Sequence, residues 1–117
     1  MKIRVDYEIP DGVINGEITN ALKYGIRRWG CYGGRRAGRA RRHALLADSG
    51  WVPKGVSLLI YGDRGVEYRL TRAKIKEGLR VLATKYPHHF DDLIRQAGDS
   101  DTSDALIQCA LFGKVVY

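Results

Sequence analysis

Arginine dominates one stretch of the chain, and its side chain is suited to recognising anions. Residues 26–43, IRRWGCYGGRRAGRARRH, contain seven arginines and no acidic residue. Without these seven side chains, thirteen lysines and arginines remain against thirteen aspartates and glutamates, so the net charge of +7 comes from this stretch. Guanidinium groups form bidentate hydrogen bonds with phosphate and carboxylate and stack on aromatic rings. We therefore expect the stretch to contact a polyanion or an acidic protein surface.

The expected contact residues are the arginines, the histidine that follows them and two aromatic residues between them. They are Arg27, Arg28, Arg35, Arg36, Arg39, Arg41, Arg42, His43, Trp29 and Tyr32. Aromatic rings interleaved with arginines are typical of proteins that bind single strands or nucleic-acid loops. One alternative is a solvated basic loop that pairs with the protein's own carboxylates. Trp29 and Trp51, which bracket the stretch, can also anchor it to the core.

Two conformations are open for this Arg-rich arm or helix, at about residues 27–47. As a helix, residues 35–47 would place Arg35, Arg36, Arg39, Arg42 and His43 on one arc of about 120°, opposite a face of alanines. The glycines at 33, 34 and 38 favour instead a mobile arm that becomes ordered on contact.

His88 and His89, followed by Asp91 and Asp92, are the other residues whose types suggest chemistry. Adjacent histidines diverge on a helix, and the two carboxylates follow too closely to close a metal site, so we interpret them as the start of a surface or partly buried helix. A small metal-dependent hydrolase is the less favoured alternative. The sequence has no GxSxG, Walker or GxGxxG motif. We predict a protein that is not an enzyme, with no catalytic residue, no metal and no cofactor.

Length and composition predict one soluble domain over residues 1–117. The sequence contains no run of 18 apolar residues that could span a bilayer, and its first residues lack the apolar region of a signal peptide. Cys31 and Cys109 are distant in sequence and form no metal or disulfide pattern, so we expect reduced thiols, with Cys109 in the core. These features predict a cytoplasmic protein.

The elements that must position the arginines predict an α+β fold. Residues 2–9 alternate, with Ile3, Val5, Tyr7 and Ile9 on one face, and indicate a half-buried strand. Two further runs, 55–61 and 66–70, flank the turn Gly62–Gly65 and predict a β-hairpin whose first strand is central. The expected sheet is therefore small and antiparallel, formed by the N-terminal strand and the central hairpin, and packed against about four helices.

Helix signals follow the turn at residues 10–12 and the hairpin. A first helix, capped by Asp11 or Asn15, is expected to end near Trp29, and a second starts after the N-cap Thr71. Pro87 fits the first turn of a short helix that Gly98 closes, and a last apolar helix follows. We also consider a short strand at residues 115–116.

Three segments follow one another in a characteristic order: ITNALKYGIRRW, then GVSLLIYGDRGVEYRLTRAKIKEGLRVLA, and DTSDALIQCALFGKVVY, which matches D-x-x-D-x-x-x-Q-x-A-L-F-G-x-V-V-Y. In these segments the chain resembles a group of small uncharacterised proteins of bacteriophages and prophages. The resemblance covers about two thirds of the chain, and it implies an accessory protein expressed inside the host, with no known active site. The group has a polar or acidic, variable insertion where this chain carries arginines.

These observations predict a small non-enzymatic, phage-type accessory protein. It would bind nucleic acid, or a nucleic-acid-handling host complex, through the arginines in the host cytoplasm. The alternative is an anti-CRISPR type inhibitor that contacts a host defence effector directly. The sequence leaves homo-oligomers open, and it leaves DNA, RNA and protein open as partners.

Overall fold

The computed structural model of the protein describes residues 1–36 and 57–117, with the backbone alone for residues 34–36. The helices are α1 (Asp11–Asn20), which continues into a π-helical turn (Ala21–Gly25), α2 (Arg72–Lys85), α3 (Pro87–Ile94) and α4 (Ser100–Phe112). The strands are β1 (Cys31–Arg36), β2 (Ser57–Tyr61) and β3 (Glu67–Leu70), with a 3-10 turn at Asp63–Gly65. The predicted α+β class is confirmed. Expectations for Arg39, Arg41, Arg42, His43 and Trp51 lie outside the described residues.

The three strands form an antiparallel sheet in the order β1-β2-β3. Leu58 pairs with Leu70 across the hairpin, and Cys31 pairs with Tyr61 on the other side of β2. Leu58 and Ile60 are fully buried, as expected for a strand with neighbours on both sides. The predicted hairpin and its central first strand are confirmed.

The third strand is formed by residues 31–36, within the Arg-rich stretch, and not by residues 2–9. Residues 1–10 form neither helix nor strand, so the predicted N-terminal strand is wrong. Residues 31–36 occupy the edge of β2 opposite the hairpin, so that position in the sheet is closed to residues 2–9. For the same reason Arg35 and Arg36 extend β1, where they pair with Leu58 and Ser57, and they begin neither a helix nor a mobile arm.

Helix α4 is the centre of the fold, because every residue from Thr102 to Ala110 is buried. One core cluster joins α1, the sheet and the start of α2, and includes Ile18, Ile60 and Ile75. The second joins α2, α3 and α4 around Leu82 and Leu106. Cys109 lies in this second cluster, as predicted.

Of the four predicted signals for helix ends, two are confirmed and two are wrong. Thr71 accepts a hydrogen bond from the backbone N–H of Lys74, and Pro87 is the first residue of α3. Helix α1 instead begins after Pro10 with no side-chain cap. Helix α3 ends at Ile94, and Gln96, not Gly98, adopts the left-handed conformation with φ 55°.

Candidate anion-binding cleft

The π-helical turn after α1 sets the direction of the first two arginines. Its wide hydrogen bond runs from the N–H of Ile26 to the carbonyl of Ala21, 3.0 Å apart. Gly25 permits this turn to lie against α4, because a Cβ atom there would stand 2.8 Å from the carbonyl oxygen of Ser100. Residues 26–30 form a further turn in which Trp29 is buried and Arg27 and Arg28 are exposed.

Trp29 is fixed by a buried carboxylate. Its indole Nε1–H donates to Oδ1 of Asp104 at 2.8 Å, and Nε2 of Gln108 donates to Oδ2 at the same distance. Burial raises the pKa of Asp104, while the hydrogen bonds from Trp29 and Gln108 and the charge of Arg28 act in the opposite direction. The indole therefore has a fixed orientation and gives rigid support to the surface residues that pack against it.

Gln108 also holds the last residues of the chain against this site. Its Oε1 accepts hydrogen bonds from the backbone N–H groups of Val116 at 2.7 Å and Tyr117 at 2.8 Å. The ring of Tyr117 then stacks on Trp29, with centroids 5.3 Å apart and planes 5° from parallel. Residues 115–117 are thus held by a side chain and do not form the strand considered for residues 115–116.

These groups border an open cleft of about 510 Å³ between the Trp29 turn, the start of β1, the hairpin turn and the last residue. Three aromatic residues, two arginines, a thiol, a carboxylate and two glycines line it, namely Trp29, Tyr61, Tyr117, Arg28, Arg64, Cys31, Asp63, Gly30 and Gly62. We call it the aromatic–arginine cleft. Flat rings beside guanidinium groups can hold a planar ligand that carries an anionic group.

Two irregular backbone positions shape this cleft. Arg64 has φ 59° and ψ 24°, a left-handed backbone conformation that is uncommon for residues other than glycine and asparagine. Opposite it, β1 has a bulge between Tyr32 and Gly34, and Gly33 leaves room for the ring of Tyr61. A Cβ atom at position 33 would overlap the ring of Tyr61, so any other residue there would force that ring to move.

The positive charges of Arg27, Arg28 and Arg64 remain accessible. Arg28 has its guanidinium 3.8 Å from Oδ2 of Asp104, yet its side chain is 71% exposed. Arg27 and Arg64 are exposed as well. A long contact of this kind leaves most of the guanidinium donors of Arg28 free for a ligand.

The structure brings together Arg28 and Trp29 of the predicted contact residues. Arg27 lies beside them, and Tyr32 is half-buried in β1. Trp29 is mainly an anchor, which agrees with the alternative interpretation of this residue. The expectation did not include Arg64, Tyr61 and Tyr117, because the fold, and not the sequence order, brings them to the cleft.

Asp104 was also not predicted, although the sequence carries a signal for it. Asp104 and Gln108 are the polar residues at i and i+4 of an otherwise apolar run, DALIQCALF. Polar residues at this spacing lie on the same side of a helix and can share hydrogen bonds. A buried polar pair inside an apolar helix indicates a partner elsewhere in the fold, which here is Trp29.

Neither His88 nor His89 lines the aromatic–arginine cleft. Nδ1 of His89 lies 3.1 Å from Oγ1 of Thr102, His88 is exposed, and Asp91 pairs with Arg95 at 3.3 Å. Within residues 1–36 and 57–117, no three histidine, cysteine, aspartate or glutamate side chains lie close enough to share a metal ion.

Comparisons with known proteins give this chain no relative. None of the helices in the described part of the chain is long and apolar enough to cross a membrane. No protein-family model, curated protein or solved structure matches the chain.

Proposed function

We propose that the protein is a non-enzymatic, phage-type accessory protein that binds nucleic acid, and that the aromatic–arginine cleft is the fixed end of its binding surface. The observation that carries the proposal is the position of Arg28 and Arg64 beside the exposed ring of Tyr117, which stacks on the buried Trp29 where the arginine-rich stretch begins. A base can stack on an aromatic face while its phosphate meets a guanidinium.

Charge distribution supports a polyanionic ligand. The seven arginines of residues 27–42 account for the whole excess of positive over negative charge. Concentrated positive charge attracts phosphate chains by a long-range interaction that salt weakens. If four to six arginines meet phosphates, the logarithm of affinity should fall with the logarithm of salt concentration at a slope of roughly −4 to −5.

Rigidity of the cleft supports recognition of a base and not only of charge. Asp104 fixes Trp29, and Gln108 fixes the backbone that carries Tyr117. Stacking surfaces that are already ordered lose little conformational entropy when a ligand binds. Stacking on an aromatic side chain contributes about 1–3 kcal/mol per base.

The experiment compares two doubly substituted proteins of equal net charge. Arg28→Gln/Arg64→Gln removes the two cations of the cleft, whereas Lys23→Gln/Lys114→Gln removes two exposed cations outside it. Fluorescence anisotropy with labelled single-stranded and duplex oligonucleotides, each at several salt concentrations, measures the affinity. Loss of two phosphate contacts should weaken binding about 10- to 100-fold and reduce the salt slope by about two. The control should change affinity by less than about threefold.

Two results would contradict the proposal. If wild-type protein does not bind any oligonucleotide at low salt, nucleic acid is not the ligand. If both doubly substituted proteins lose affinity equally, the cleft is not the binding surface. A host protein complex that the chain retains from lysate after nuclease treatment would instead support direct inhibition of a host effector.

A further inference from the structure

The N-terminal segment, residues 2–9, has the side-chain pattern of a strand but no strand partner in the described part of the chain. Residues 1–10 are in neither helix nor strand, although their apolar residues alternate. Ile3, Val5 and Tyr7 are 81%, 60% and 59% exposed. Three alternating apolar side chains that stay in water are unusual for a folded domain and indicate a surface that another molecule covers.

The charges of this segment are arranged with two-fold antisymmetry about Val5. Two cations precede Val5 and two anions follow it, with apolar residues between them. An antiparallel pair of such segments, centred on Val5, places every cation of one copy opposite an anion of the other. The opposed residues are Lys2 with Glu8, Arg4 with Asp6, Ile3 with Tyr7, and Val5 with Val5 of the second copy.

Other registers lose this complementarity. A shift of two residues in one direction places Arg4 opposite Arg4, and a shift in the other places Asp6 opposite Asp6. Parallel pairing in register brings each charge beside its own copy. Like charges directly opposite each other destabilise a strand pair, whereas opposite charges stabilise it. The register centred on Val5 is therefore favoured.

We propose that residues 2–8 form an antiparallel two-stranded ribbon with the same residues of a second copy, so that the protein is a two-fold symmetric dimer. An interface of this kind is isologous, because one patch meets itself. Pro10, with φ −57°, stands immediately before α1 and limits the ribbon to the residues that precede it.

A groove beside the segment offers room for the apolar face of the ribbon. It measures about 420 Å³ and lies between the segment and α2, with Val5, Tyr7, Leu79, Ala83 and Phe90 among its lining residues. Tyr7 already contacts Phe90 edge to face at 5.2 Å. Alternate residues of a strand point the same way, so Ile3, Val5 and Tyr7 of the second copy would extend this apolar cover.

Charge exchange between two variants tests the register directly. Lys2→Glu/Arg4→Glu makes the segment entirely acidic, and Asp6→Lys/Glu8→Lys makes it entirely basic. Each variant should dimerise at least about 30-fold more weakly than wild type, since four opposed pairs become like-charged. An equimolar mixture should form a 1:1 heterodimer, because all four charge pairs are complementary again.

Sedimentation equilibrium over a concentration series, in the absence of nucleic acid, measures these masses. The acidic and basic variants have net charges of +3 and +11, against +7 for the wild type. Because both are positive, overall electrostatic attraction cannot produce the heterodimer. Lys23→Glu/Lys114→Glu, with the same net charge as the acidic variant, should dimerise like wild type.

The inference is overturned if the wild type is monomeric throughout the series. It is also overturned if the wild type dimerises and the acidic variant dimerises equally well, or if the mixture gives no heterodimer. Since no oligonucleotide is present, these outcomes do not depend on the proposed binding function.

Discussion

Trp29→Phe isolates the hydrogen bond that joins the Trp29 turn to the centre of the fold. The substitution keeps an aromatic ring in the core but removes the indole N–H that donates to Asp104 at 2.8 Å. The carboxylate is buried, and within the described residues its remaining side-chain hydrogen bond is from Gln108. Loss of a hydrogen bond to a buried charged group costs about 1.5–3 kcal/mol, and the smaller ring adds about 1 kcal/mol through the cavity that it leaves.

The cost of this substitution should depend on pH. Burial raises the pKa of Asp104 above its ordinary value of 3.8, so the folded protein binds the proton more tightly than the unfolded chain. Stability therefore falls as pH rises from about 3.8 through the folded-state pKa. The hydrogen bond from Trp29 opposes that shift, so without it the pKa of Asp104 rises further and the loss of stability with rising pH is larger. A neutral carboxyl loses only about 0.5–1.5 kcal/mol with the same bond, so the substitution should cost about 1–2 kcal/mol more at pH 7 than at pH 3, which lies below the ordinary pKa of the carboxyl.

Urea denaturation at the two pH values gives the required free energies of unfolding. Thermal unfolding at pH 7 should show a midpoint lower by roughly 10–15 °C. Tyr86→Phe is the control, because the hydrogen bond that its hydroxyl accepts within the described residues comes from the uncharged backbone N–H of Val115, so its cost should be the same at both pH values. An equal cost of Trp29→Phe at pH 3 and pH 7 would refute the assignment of an ionised Asp104 as the partner of the indole.

Three further outcomes concern glycines and thiols. Gly78→Ala should destabilise the protein by about 1–2 kcal/mol in urea denaturation, because a Cβ atom there would meet the backbone of Ala110 at 2.7 Å, and an increase in stability would refute this close contact. Gly16→Ala, in α1 with open space around it, should instead stabilise by about 0.5–1 kcal/mol through helix propensity. Burial raises the pKa of the Cys109 thiol to about 11, whereas Cys31 is exposed, so a thiol reagent should label one site rapidly at pH 8 and Cys31→Ser should abolish that labelling.

Local signals in the sequence predicted those parts of the fold that depend on neighbouring residues. The Thr71 cap follows from a hydroxyl three residues before an unpaired N–H, and the start of α3 follows from the fixed φ of Pro87. The central position of β2 follows from apolar residues on both of its faces.

The choice between two possible third strands could not be predicted in this way. Residues 2–9 have the better alternation, yet residues 31–36, with two glycines and two arginines, occupy the edge of β2. Strand pairing depends on which segment the chain places at that edge. The turn after α1 ends beside β2, where Cys31 pairs with Tyr61. Composition therefore identified the arginine stretch, while the position of Arg64 and Tyr117 beside it required the three-dimensional arrangement.

The π-helical turn at Ala21–Gly25 makes the fold sensitive to insertions and deletions at this point of the chain. Its hydrogen bond spans five residues where an α-helix spans four, so the turn holds one residue more than the regular helix would. Removal of one residue there would restore a regular helix and rotate everything that follows by about 100°. Trp29 would then leave Asp104, and the arginines would point in another direction. A homologue that is one residue shorter here is therefore expected to lack the cleft.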